Sequence, residues 1–141
     1  MNDPSLIIGV DFDGTIVKHA YPKIGYSVPH AVATLKDCVA RGARIILFTM
    51  RSGDELRDAV AYMAEQGIPL YGVNSNPDQH TWTTSPKAYC HVYVDDAALG
   101  CPVLQNCVYP ETRPFVDWMR VAPILRNLIE ERRDNPEKRH P

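Results

Sequence analysis

The sequence predicts an α/β fold: a single doubly wound parallel sheet of the Rossmann-like kind, with helices on both faces. Three observations predict it. Apolar runs at 5–10, 43–48 and 91–94 are near-continuous rather than alternating, the pattern of strands covered on both sides. Between them lie segments whose apolar residues recur at helical spacing. The runs stop at Asp11, Thr49 and Asp95-Asp96, at the strand ends where open α/β sheets bind ligands.

The first strand, 5–10, leads into Asp11-Phe12-Asp13-Gly14-Thr15. Side chains alternate along a strand, so Asp11 and Asp13 point the same way if extended geometry continues. Gly14 then allows a turn that other residues resist. The segment of about 17–27 holds Tyr21, Pro22, Gly25 and Tyr26, so it reads as an ordered loop hanging over the Asp11 tip as a flap. Ser27 is expected to cap the first helix, with Pro29 in its opening turn. Val28, Ala31, Val32, Leu35, Cys38 and Val39 share one face of that helix, and Gly42 ends it.

The second strand, 43–48, stops at Thr49. Ser52 and Glu55 have the spacing of a capping box for the second helix, whose buried stripe is Leu56, Ala59, Val60 and Met63 and whose stop is Gly67. A weaker third strand covers 68–73, with Pro69 tolerated only at its start or on an edge. The polar loop 74–86 is long enough to be functional. His80 and Trp82 are its candidate ligand contacts, although a tryptophan more often packs such a loop onto the body. The strand 91–94 ends at Asp95-Asp96, and 102–108 predicts a fifth, edge strand. A helix of about 117–133 shows Val121, Ile124, Leu125, Leu128 and Ile129 on one face, and either kinks or begins at Pro123. The charged tail 134–141 is expected to fray.

A chain of 141 residues fits one domain, 1–141, with one core. Its net charge of −2, with Lys and Arg dispersed, carries no footprint for nucleic acid or an anionic membrane. No apolar run approaches a membrane span, and the polar opening Met1-Asn2-Asp3-Pro4 does not read as a secretory signal, so a cytoplasmic protein is expected. Cys38, Cys90, Cys101 and Cys107 form no Cys-x-x-Cys pair and read as buried free thiols of a reducing compartment. The five histidines lack ligand spacing and read as surface or capping residues.

Two carboxylates at one strand tip repel each other unless a cation or a proton-transfer task uses them. That makes the Asp11 tip a candidate metal-assisted site; an ordinary capping aspartate is the plainer alternative. The motifs that converge there have a family resemblance. Asp11-Phe12-Asp13-Gly14-Thr15 resembles the first motif of the haloacid dehalogenase-like (HAD) superfamily, and Leu47-Phe48-Thr49 its second. Lys87 resembles its third, and Val94-Asp95-Asp96 the paired-acid form of its fourth, in the right order across 5–100.

The resemblance implies a mechanism. Asp11 is the nucleophile that forms an aspartyl-phosphate. Asp13 protonates the leaving oxygen and then deprotonates the hydrolytic water, while its backbone carbonyl completes a Mg²⁺ shell with Asp11, Asp95 and Asp96. Thr49 and Lys87 hold phosphoryl oxygens and complete the catalytic set. Arg51 is a substrate-binding candidate, with a salt bridge in the helix cap as its structural alternative. Thr15 braces the loop rather than touching substrate.

Within the superfamily, dehalogenases lack the second carboxylate, ion pumps carry Lys-Thr after the aspartate, and phosphomutases need a cap. Both intervals where a cap is inserted are filled here by flap, helix and strand, so the resemblance is to a capless phosphatase. The expected substrate is a small phosphorylated metabolite, a sugar phosphate or nucleotide, with the site covered by a homo-oligomer's subunits or by loops 18–26 and 74–86. A phosphorylated macromolecule and a non-catalytic binding module with the same fold are the alternatives.

Overall fold

The computed structural model describes residues 3–105 and 113–135. Its centre is a parallel sheet of β1 (Ile7–Asp11), β2 (Arg44–Phe48), β3 (Gly72–Val73) and β4 (Val92–Val94), in the order β3-β2-β1-β4. Helix α1 (Ala31–Ala40) joins β1 to β2, and α2 (Gly53–Glu65) joins β2 to β3. The chain steps outward from β1 to β3, then returns to set β4 on the free side of β1. The α/β class and the single parallel sheet are as the sequence predicts.

Register sorts the two faces. Ile8 pairs with Ile45 and Val92, and Val10 with Leu47 and Val94, so all six side chains share one face. They pack into one core with Ala31, Leu35 and Cys38 of α1, Ala59 and Met63 of α2, and Val121, Leu125 and Ile129 of α3 (Trp118–Asp134). Right-handed crossovers explain this: both β-α-β steps advance in the same direction, so α1 and α2 land on the same side. A helical layer on the second face was expected, and the structure corrects this. Gly9, Ile46 and Tyr93 lie there, against the return segment between β3 and β4, whose Ala88 and Cys90 are buried.

That return segment holds one short 3-10 turn, Gln79–Thr81. The buried Gln79 organises it: its amide nitrogen donates to the carbonyls of Ser85 and Lys87, and its side-chain oxygen accepts the Tyr89 N–H. Such a side chain substitutes for the ladder bonds that a loop lacks.

Several predicted boundaries move. Helix α1 starts at Ala31, capped by His30 in the left-handed region (φ 69°), rather than at Ser27. The flap takes the expected cap residues: Ser27 bridges to Val17, and the Val28 N–H donates to the Ile16 carbonyl. Ser52 does precede α2, but no side-chain cap bond forms, so the capping box is not made. Strand β3 is shorter than predicted. β5 (Val103–Leu104) pairs antiparallel with β6 (Phe115–Val116) instead of extending the main sheet. Residues 106–108 of the predicted edge strand, Cys107, and 136–141 of the tail lie outside the described residues. Helix α3 runs through an exposed Pro123 rather than starting there, and Ile124 faces solvent.

Among the described residues, no helix is long and apolar enough to cross a membrane. Cys38 and Cys90 are buried free thiols, which burial pushes up to about 11 and about 12, and Cys101 is half-buried.

Candidate active site

The winding of the sheet reverses at β1 and β4. Val10 and Val94 are register partners, so the residues that follow them emerge side by side. This brings one carboxylate oxygen each of Asp11, Asp95 and Asp96 within 4.8 Å of one another. Burial, then the hydrogen bond with Asp96 and the charge of Asp95, push Asp11 up to about 8. Asp96 also feels burial, but its bonds with Asp11 and His19 outweigh it and hold the group below the usual carboxylate range.

Thr15 ties the cluster together. Fully buried, it donates to Asp11 Oδ2 at 3.0 Å and accepts the Asp96 N–H at 3.2 Å. β6 and the start of α3 fix this turn: Trp118 Nε1 donates to the Thr15 carbonyl at 2.7 Å, and Val116 N–H to the Gly14 carbonyl. The bracing role expected of Thr15 is the one its contacts describe.

His19 was read as an ordinary surface or capping histidine. It belongs to the site: Nε2 lies 2.9 Å from Asp96 Oδ2. Gly14 makes room for the pair. Its φ is +84°, and a Cβ there would stand 2.1 Å from His19 Nε2 and 2.3 Å from Asp96 Oδ2. The available signal was a histidine in a short segment anchored at both ends near the acidic tip.

Asp13 does not join the carboxylate cluster. Strand geometry stops at Asp11, and the Asp13 carboxylate turns to Arg51, whose Nε and Nη2 each donate to it at 2.8 Å. Arg51 is 3% exposed. It also donates to the Pro22 and Lys23 carbonyls of the flap at 3.1 and 2.8 Å, and its guanidinium lies near the Phe12 and Tyr21 rings. The expectation that Arg51 binds substrate is therefore corrected. Its planar fork is spent on Asp13 and the flap, in an ion pair that reaches well beyond a helix cap.

Lys87 and Asp11 line one cavity of about 340 Å³, together with Gly9, Phe48, Tyr93 and Asp95. The Lys87 ammonium stands 5.7 Å from the centre of the Tyr93 ring. Thr49 sits just beyond β2, where Oγ1 accepts the Arg51 N–H at 3.1 Å and its own N–H donates to Asn74 Oδ1 at 2.8 Å. Phe48, the register partner of Asp11, lines the cavity on that side. In the loop 74–86, His80 bonds the Pro77 carbonyl, and Trp82 packs edge-on against Tyr89 while 55% exposed.

No protein-family model matches the chain, and no curated protein does. A solved structure of a conserved protein from Bacteroides thetaiotaomicron is similar at 32% identity, with a TM-score of 0.70. The match covers 87% of this chain and 91% of that one. The chain belongs to the same family as that conserved protein.

Proposed function

We propose that this protein is a magnesium-dependent phosphohydrolase of the HAD type that cleaves a small phosphate monoester through an aspartyl-phosphate on Asp11. The observation that carries the reading is the meeting of Asp11, Asp95 and Asp96 within 4.8 Å. Lys87 on the same cavity adds a cationic side chain for a phosphoryl group.

The donor set fits magnesium: hard anionic oxygens, crowded enough that burial and like charge push Asp11 up to about 8. Asp11, Asp95 and Asp96 would hold the ion, with the Asp13 carbonyl as a further candidate. When bound, it would supply positive charge to the phosphoryl oxygens. Asp11 attacks phosphorus, forming a new O–P bond as the ester oxygen leaves with its electron pair. Lys87 draws the phosphoryl group against Asp11, and Thr49 is the candidate donor on the β2 side. Asp13 gives the departing oxygen its proton, then takes one from the water that cleaves the acyl phosphate. For this, one Asp13 oxygen has to leave the Arg51 fork. A cytoplasmic setting, which keeps Cys38, Cys90 and Cys101 reduced, goes with this reading.

The engagement of both Asp13 oxygens by Arg51 favours one alternative, a binding module that keeps the fold without turnover. Phosphate release from a panel of monoesters separates the two. The hydrolase reading expects turnover that needs Mg²⁺, stops with EDTA and is lost in Asp11→Asn. A folded wild-type protein inert across the panel would leave the binding module.

A further inference from the structure

The second face of the sheet carries an aromatic wall beside Asp11. Tyr93 is exposed, yet rigid: its hydroxyl donates to the Ala88 carbonyl at 2.9 Å and accepts the Cys90 N–H at 3.2 Å. Its ring meets Phe48 edge-on at 5.7 Å. Gly9 keeps this wall close to the strand, since a Cβ there would lie 3.1 Å from both rings. A second hollow of about 340 Å³ begins at the same two residues, Lys87 and Tyr93, and reaches Trp82 and Tyr89. The Asp11 cavity and the Trp82 hollow thus adjoin across Lys87 and Tyr93.

Fixed, solvent-facing rings at a small-molecule site exact a hydrophobic cost that a ligand's planar group would offset. Asp11 and Asp95 line the first cavity and Trp82 and Tyr89 the second, with Lys87 and Tyr93 common to both, so a ligand with its phosphate at Asp11 meets Trp82 only if it carries a further group past Lys87 and Tyr93. We infer that the ester is a nucleoside monophosphate, its phosphate at Asp11, its ribose beside Lys87 and Tyr93, and its base against Trp82. This deepens the phosphohydrolase reading and rests on it for the placing of the phosphate. Tyr93 and Trp82 are then the residues that select the base.

Two measurements test it. The first is the ratio of kcat/KM for nucleoside 5′-monophosphates to that for ribose 5-phosphate, with 4-nitrophenyl phosphate as an aryl ester lacking the ribose spacer. The ratio favours the nucleotide in wild type and falls about tenfold in Trp82→Ala, the worth of one stacked base. Tyr93→Leu lowers it as well; since Trp82 is exposed, its variant remains informative should Tyr93→Leu not fold. The second is tryptophan fluorescence without turnover. Trp118 is buried and Trp82 exposed, so nucleotide quenches the Trp82 signal and ribose 5-phosphate does not. Turnover without nucleotide preference, and without quenching, would overturn the inference while sparing the hydrolase. A nucleotide preference that Trp82→Ala leaves unchanged would overturn the base position. Quenching by nucleotide with no turnover of any ester would sink the hydrolase and keep the aromatic site.

Discussion

The Arg51 guanidinium grips both carboxylate oxygens of Asp13 at 2.8 Å, and the same side chain holds the flap by two carbonyls. One buried residue therefore sets the Asp13 orientation and the position of the loop above it. Arg51→Lys keeps the charge but loses the fork, so it should cost about 1–3 kcal/mol in urea unfolding. Under the proposed chemistry kcat should fall with it, because Asp13 loses its placement. Wild-type stability in Arg51→Lys would show that the fork is dispensable.

Gly14 admits the His19–Asp96 pair through its missing side chain. Gly14→Ala adds a Cβ to a left-handed residue and drives it into both partners. We expect a loss of about 2–4 kcal/mol. Removing one clashing partner should return part of it, so Gly14→Ala with His19→Ala should lose less than the two single changes summed. Simple additivity in a denaturation cycle would contradict the crowding described here.

In the metal-free protein burial, then the hydrogen bond with Asp96 and the charge of Asp95, disfavour the Asp11 carboxylate and push its pKa up to about 8, which costs the folded state stability at neutral pH. Asp11→Asn should therefore raise the melting temperature in EDTA. In wild type, Mg²⁺ at ten times its dissociation constant should add about 1.4 kcal/mol, or roughly 3–5 °C for a domain of this size. That response should shrink in Asp11→Asn. Calorimetry with Mg²⁺ and EDTA checks both signs, and an equal Mg²⁺ response in the two proteins would remove Asp11 from the ion.

His91 gives a pH dependence far from the site. Its Nδ1 accepts the Ile7 N–H at 2.8 Å, which requires a neutral ring, and burial holds its pKa down to about 4. An unfolded histidine titrates near 6.5. Between about pH 6.5 and 4 the unfolded chain binds more protons, so stability falls as pH is lowered through that window. After discounting for its partial exposure, the loss is about 1–2 kcal/mol. His91→Gln cannot titrate and should flatten the slope; matching slopes for the two proteins by urea unfolding at pH 7 and pH 5 would count against it.

Much of this was legible in the chain. Asp11 and Asp95-Asp96 could be placed at one sheet edge because uninterrupted apolar runs mark buried parallel strands, and the first residue after each run must emerge at its end. Other points were not legible. Asp13 was expected beside Asp11, but strand alternation ends at Asp11, and a buried arginine reaches the carboxylate from 38 residues away. Helices were expected on both faces, but local periodicity says nothing of the direction in which successive crossovers step.

The amino-acid pattern by itself determined that parallel strands exist, where they stop, and which acids stand at their tips, since these follow from burial and spacing along a few residues. Tertiary structure alone decided that His19 joins the acids, that Arg51 serves Asp13 and the flap rather than a ligand, and that an aromatic wall flanks Asp11. Those outcomes depend on distances between residues remote in sequence, set only when the sheet's register and the return of the chain across it bring them together.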